Sequence, residues 1–168
     1  GVNRFVIASG FSSIQVIAEP GQSLSLYGNR FARAVDAQGN QIEDQILVNS
    51  NGLRFAGGAP ERLGDLFPDF TMGLTTSFKY KGFRLSATFD YREGGKIVSS
   101  TNQTLTSSGL AAETLDRTPF VDPNTFVQPG GPGTAISPNT TQVQTVEAYW
   151  LAYSNQSIAE GFTFDATF

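Results

Sequence analysis

The segment DFTMGLTTSFKYKGFRLSATFDYR, residues 69–92, decides how the chain is read. Taken in steps of two, Phe70, Met72, Leu74, Thr76, Phe78 and Tyr80 share one face, and Asp69, Thr71, Gly73, Thr75, Ser77 and Lys79 share the other. Side chains alternate across a strand, so this period belongs to a strand with one apolar face. The alternation stops at Lys81-Gly82 and then resumes, with Phe83, Leu85, Ala87, Phe89 and Tyr91 on one face and Arg84, Ser86, Thr88, Asp90 and Arg92 on the other. Two long strands around a tight Gly-containing turn predict a hairpin.

The surrounding sequence is of the same class. The chain has 168 residues, of which 39% are hydrophobic, with Gly 18, Pro 8 and Phe 14. Aromatic runs punctuated by Gly, Pro and polar residues predict an all-β chain. No apolar run reaches the roughly 18 residues that a membrane-spanning helix needs. Strands that cross a bilayer stay open as a possibility, because their alternation leaves only a weak hydropathy signal. The formal net charge of -4 argues against a nucleic-acid partner, which needs clustered Lys and Arg. Charge is unevenly placed: residues 68–96 hold Lys79, Lys81, Arg84, Arg92 and Lys96 against Asp69, Asp90 and Glu93, so the hairpin is +2 and the remainder -6.

Cysteine and histidine are both absent. Their absence removes disulfides, thiol nucleophiles, Cys/His zinc sites, imidazole bases and Ser-His-Asp triads together. Paired carboxylates such as Glu43-Asp44 or Asp90 with Glu93 have no partner base, so neither an enzyme nor a cofactor or metal is expected. Without a starting Met or signal peptide, and ending inside an alternating run, the chain is expected to be a piece of a longer protein.

In chain order, residues 1–18 hold two apolar patches, Phe5-Val6-Ile7 and Ile14-Gln15-Val16-Ile17, each fit for a short strand ended by Pro20-Gly21. Residues 19–67 read as a compact loop with short strands at residues 24–31 and 46–48 and turns at residues 36–40 and Asn51-Gly52. The oxygen side chains of residues 36–40 invite a calcium reading, but Leu47 stands where an EF-hand places Glu, which leaves a hairpin turn. Residues 68–96 are the long hairpin. Residues 97–148, rich in Thr, Ser, Asn, Gln, Pro and Gly, read as a long, partly packed loop with a helical turn near residues 108–115. Residues 149–168 open with the aromatic cluster Tyr149-Trp150-Leu151-Ala152-Tyr153 and start the next strand, where Phe162, Phe164, Ala166 and Phe168 alternate with Thr163, Asp165 and Thr167.

Alternation by itself leaves two environments for the apolar face. Strands in soluble sandwiches commonly span about 5–6 residues, whereas a tilted membrane strand needs about 9–11. A short turn at one end and long loops at the other is the asymmetry of an outer-membrane barrel, with Tyr80, Phe83 and Tyr91 as girdle aromatics. The alternative is a soluble extracellular β-sandwich that binds carbohydrate.

Several stretches also resemble a known family. Leu63-Gly64-Asp65-Leu66-Phe67-Pro68-Asp69-Phe70-Thr71-Met72-Gly73, followed by Phe78-Lys79-Tyr80-Lys81-Gly82-Phe83-Arg84-Leu85-Ser86, is similar to a signature late in the barrels of SusC/RagA-type TonB-dependent transporters. Gly21-Gln22-Ser23-Leu24-Ser25-Leu26-Tyr27-Gly28, Gly94-Gly95-Lys96-Ile97, Tyr149-Trp150 and Phe164-Asp165-Ala166-Thr167-Phe168 resemble the family's neighbouring segments in the same order. The resemblance implies a segment of a large antiparallel transmembrane β-barrel in a bacterial outer membrane. In such an importer of oligosaccharides or peptides, a barrel of roughly 22 strands surrounds a plug, a SusD-like lipoprotein forms a surface lid, and TonB acts through the plug. It further implies a periplasmic Lys81-Gly82 turn and extracellular loops at residues 19–67 and 97–148. A plug and a TonB box are not among these residues, so this segment is not expected to transport by itself.

On that basis Phe70, Met72, Leu74, Phe78, Tyr80, Phe83, Leu85, Phe89 and Tyr91 are candidates to face lipid. Thr71, Thr75, Ser77, Lys79, Arg84, Ser86, Thr88, Asp90 and Arg92 are candidates to face the lumen or plug, with Asp69 and Arg92 expected to pair across the hairpin. Tyr149, Trp150 and Tyr153 are candidates to stack on a sugar, since flat rings with a polar tip suit amphipathic ligands; membrane-girdle anchoring is the competing role for them.

Overall fold

A computed structural model describes residues 5–9, 14–154 and 158–167. The two N-terminal patches form β1 (Phe5–Ser9) and β2 (Gln15–Ala18), paired antiparallel. The chain reverses at Pro20-Gly21, Gly21 taking φ 78°, and β3 (Ser25–Gly28) returns along β2. Next, β4 (Arg33–Val35) and β5 (Gln41–Leu47) form a hairpin. The Asp36 carboxylate closes its turn by accepting hydrogen bonds from the Gln38 and Asn40 amides at 2.9 and 2.8 Å. Both amides donate to Oδ1, and Oδ2 accepts from the Asn40 side chain, which makes residues 36–40 a turn stabilised by its own side chains.

The chain then comes back as β6 (Glu61–Asp65) beside β3 and passes through Phe67-Pro68 into the long hairpin, β7 (Phe70–Tyr80) and β8 (Phe83–Glu93), of 11 residues each. Its turn is Lys81-Gly82 with φ 41° and 88°. Two successive positive φ values give the turn a twist that matches the strands. Gly94 and Gly95, both with positive φ, break β8 from β9 (Lys96–Val98).

Residues 99–162 contain more regular structure than their composition predicts. Helix α1 (Ser100–Ser107) starts where the Ser99 hydroxyl accepts from the Asn102 amide, and it buries the polar Gln103 and Thr106. A 3₁₀ turn follows at Ala112–Thr114. The expected helical turn near residues 108–115 is thus a short one, and the longer helix precedes it. Serine, threonine and asparagine in STNQTLTS are weak helix formers, so the cap and the packing of two polar side chains hold what propensity does not. Short strands β10 (Phe120–Val121), β11 (Thr125–Val127), β12 (Ser137–Pro138) and β13 (Gln142–Val143) come next.

The aromatic cluster lies in helix α2 (Val146–Tyr153), so residues 149–153 do not begin a strand. Val146 and Tyr149 recur at helical spacing and are both buried, a face that a period of two does not provide. Strand pairing resumes at β14 (Thr163–Asp165), antiparallel to β9.

The sheet topology divides the chain into two regions. Outside two insertions the strands pair antiparallel in three separate sheets, β1-β2-β3-β6, β7-β8 and β9-β14, which follow one another along the chain as a run of staves. Two insertions leave it, residues 29–60 between β3 and β6 and residues 99–162 between β9 and β14. Both leave at the end opposite the Lys81-Gly82 turn, and they join in one sheet of order β12-β11-β5-β4, where β11 lies parallel to β5. The fold is β-rich, and among the described residues the staves do not close on themselves.

Candidate functional site

Along the long hairpin the register pairs Met72 with Tyr91, Leu74 with Phe89, Phe78 with Leu85 and Tyr80 with Phe83. The other face pairs Thr71 with Arg92, Gly73 with Asp90, Thr75 with Thr88, Ser77 with Ser86 and Lys79 with Arg84. Cross-strand partners share a face, so the nine candidate apolar side chains stand together and the polar set stands opposite. Thr71 rather than Asp69 lies directly across from Arg92, which leaves Asp69 diagonal to it on the same face. The apolar face is open: Phe83 is 84% exposed and Leu85 69%.

The other candidates gather inside the insertions. Helix α2 aims Tyr149 and Tyr153 at Phe120, Phe31 and Phe162, with ring centroids 4.9 Å apart for Phe120–Tyr149, 5.3 Å for Phe31–Tyr153 and 5.7 Å for Tyr153–Phe162. Trp150 packs edge-on against both tyrosines. These rings sit on a helix within the joined insertions and not on a stave. They bound a cavity of about 500 Å³ whose polar wall is Arg54, Asp122, Glu113 and Asn102.

Each polar group has a reason to be there. Arg54 follows a turn in which the Asn49 carboxamide accepts from the Asn51 and Leu53 amides, and in which Gly52 has φ 75° with the Thr141 carbonyl so close that a Cβ would sit 3.0 Å from it. Asp122 is fixed from behind: Thr125 Oγ1 donates to its carbonyl at 2.7 Å, and Asn139 donates in turn to that hydroxyl. The two meet in a fork, Arg54 Nε to Asp122 Oδ2 at 2.6 Å and Nη2 to Oδ1 at 2.8 Å, with the Asp122 side chain 2% exposed. Paired, hydrogen-bonded charges tolerate such burial where a lone charge does not. The guanidinium also lies over the Phe31 and Tyr153 rings, 5.3 and 5.5 Å from their centroids.

These surroundings set the protonation states. Burial pushes the Tyr149 hydroxyl well above its usual range, which the Arg54 cation opposes and the Asp122 carboxylate reinforces. Burial likewise raises Tyr153. For Arg54, burial works hardest against the charge, yet the Asp122 hydrogen bond and the Coulomb attraction of Asp122 and the two tyrosines together outweigh it, and the group stays firmly protonated. The pocket therefore offers ring faces and neutral hydroxyls beside a satisfied ion pair. That chemistry suits the stacking and hydrogen bonding of an amphipathic ligand.

A second cluster ties the two insertions to each other. Glu160 accepts from Arg33, from Arg30 and from the Phe31 amide at 2.8 Å, while Arg30 also holds Glu43 at 2.7 Å. Arg33 keeps only 4% of its side chain exposed. Burial would raise the Glu160 carboxyl, but the Arg33 and Phe31 hydrogen bonds and both arginine charges hold it below its usual value. Sequence reasoning found neither this hub nor the Arg54–Asp122 fork. Glu160 is 127 residues from Arg33, Asp122 is 68 from Arg54, and no local pattern marks either pair.

Beside the aromatic cavity lies a cleft of about 490 Å³ between Asn51, Gln142, Gln144 and Thr145, which bears hydroxyl and amide groups and no formal charge. Among the described residues no three His, Cys, Asp or Glu converge on a point. No protein-family model matches the chain, and no curated protein does.

Proposed function

We propose that this chain forms part of a TonB-dependent outer-membrane importer that takes up oligosaccharides or peptides with a SusD-like surface lipoprotein. The observation that carries the reading is the hairpin of β7 and β8: two 11-residue strands whose large apolar side chains stand on one face and are covered by no second sheet among the described residues. An 11-residue strand rises about 36 Å at ~3.3 Å per residue. Tilted by about 45°, it reaches roughly 25 Å, the height of the apolar band of an outer-membrane barrel. The order of the staves along the chain supports the same reading, because barrel staves follow one another in sequence with short turns below and long loops above.

In this scheme the apolar face meets lipid and the Thr/Ser/Arg face meets the lumen or plug. The Lys81-Gly82 turn is periplasmic. The joined insertions lie outside the cell, where the Tyr149, Trp150 and Tyr153 pocket meets ligand or lid. The rest of the same barrel, its plug and TonB complete the machine. A soluble extracellular carbohydrate-binding module is the second reading, favoured by the aromatic pocket. A sandwich, however, buries its apolar faces against each other, and Phe83 and Leu85 are open. Expression of the chain separates the two: the barrel reading expects a product that needs detergent or aggregates through its unpaired edges. A monomeric, cooperatively melting product in plain buffer overturns it.

A further inference from the structure

The cleft beside the aromatic cavity is built as firmly as the cavity itself. One wall forms where Gly52 brings residues 49–53 against β13: a Cβ there would stand 3.0 Å from the Thr141 carbonyl and 3.3 Å from the Val143 side chain. The Thr141 amide donates to the Asn139 carboxamide oxygen at 2.8 Å. Gln142 is pinned at both ends of its own amide, donating to the Pro119 carbonyl and accepting from Gln144 at 3.2 Å each. Walls held in this way need little reordering when a ligand arrives.

Within that frame four side chains keep their hydrogen-bonding capacity. Ser50, Asn51, Thr141 and Thr145 line the cleft, and among the described residues none of these side chains bonds another protein group. Thr145 is the most telling of them. It stands at the N-cap of α2, where a hydroxyl normally accepts from a backbone amide, and it makes no such bond.

The lining also says what fits. Hydroxyls and carboxamides both donate and accept, and sugar hydroxyls do the same. An ion entering a lining without formal charge would give up water and gain no counter-ion. The aromatic cavity next door supplies ring faces, the other surface that a sugar uses. Leu53 lines the cleft and Arg54 the cavity, one residue likewise separates Ala148 from Tyr149, and Val143 pairs with Phe120 across β13 and β10. A single residue step or strand rung thus lies between the two spaces, and at about 490 and 500 Å³ each has the size of a small-ligand site.

The geometry points to the Ser50, Asn51, Thr141 and Thr145 cleft as a subsite for an uncharged, hydroxyl-rich sugar unit, next to the aromatic cavity that takes the preceding unit of the same neutral oligosaccharide. This rests on the reading that the joined insertions meet ligand, and it chooses oligosaccharide over peptide and neutral over charged.

The test presents the full chain, held in detergent, with an array of neutral, acidic and amino-sugar oligosaccharides of one to six units and of tripeptides. Binding is expected to neutral members of two or more units. The variant Thr141→Val with Thr145→Val keeps the side-chain shape and removes two hydroxyls; with Trp150 fluorescence unchanged, its affinity for those members should fall about thirtyfold. Ser50→Ala, on whose hydroxyl no part of the fold rests, should cost about fivefold and decides the matter if the double variant does not fold. Oligosaccharide binding that both variants leave intact overturns the cleft as a subsite and spares the importer reading. Binding confined to charged sugars or tripeptides overturns the neutral-sugar assignment and likewise spares the importer. Binding to no member overturns the ligand role of the insertions and the cleft with it, while the need for detergent still tests the barrel.

Discussion

The long hairpin and the joined insertions use the same amino acids in opposite ways. In the hairpin, Phe78, Phe83, Leu85 and Phe89 project from backbone rungs with no side chain above them, and its polar groups are spread along the other face. In the insertions, Phe31, Tyr149, Val143 and Phe162 are buried, and the charges are gathered into the Arg54–Asp122 fork and the Glu160 hub. The insertions thus carry their own hydrophobic core, while the hairpin has only half of an interface. The other half must come from its surroundings, so the two regions should respond to different perturbations.

The largest effect is expected in the insertions. Replacing Asp122 by Ala strands the Arg54 cation among rings, and breaking such a buried pair typically costs about 3–5 kcal/mol. Denaturation followed by Trp150, the single tryptophan, should lose about that much stability, with hairpin insertion into vesicles unchanged. Hairpin insertion lost along with it would erase the distinction between the regions. On the hairpin, Leu74→Arg is expected to cost about 2–4 kcal/mol in a bilayer and Thr75→Arg close to nothing, since only one face meets lipid. Equal costs on both faces would show that no face is buried in hydrocarbon.

A pH profile sharpens the contrast. The Glu160 carboxyl is held below its unfolded value near 4.5, so its contribution is present above that pH and fades as pH falls through the depressed folded value. Insertion stability should therefore decline below about pH 4.5, and Glu160→Gln should flatten that decline while lowering stability at neutral pH. The smallest effect belongs to the turn: Gly82→Ala meets open space but a φ of 88°, a strain of roughly 1–2 kcal/mol that falls on the hairpin alone.

The same division explains what could be read from the chain. The hairpin was legible, strands, turn and faces alike, because period two and a Gly turn are local signals. The paired strands β1 to β3 were partly legible through Pro20-Gly21. The α1 segment STNQTLTS escaped because its residues favour loops and its helix depends on a cap and on packing. Helix α2 escaped because Tyr, Trp and Leu suit either period, and burial decided it. Tyr149, Trp150 and Tyr153 were found as rings, but the Arg54 and Asp122 that complete their pocket come together only through tertiary folding.

The claim that one face of the hairpin meets lipid is tested most directly by labelling. The chain has no cysteine, so single cysteines at each position of 70–80 give a clean scan. Spin labels there, in vesicles, are read for relaxation by dissolved oxygen and by a polar nickel complex. A period of two is expected, with Met72, Leu74, Thr76 and Phe78 reached by oxygen and Thr71, Gly73, Thr75 and Ser77 by nickel. Uniform access to nickel along the whole strand would contradict it.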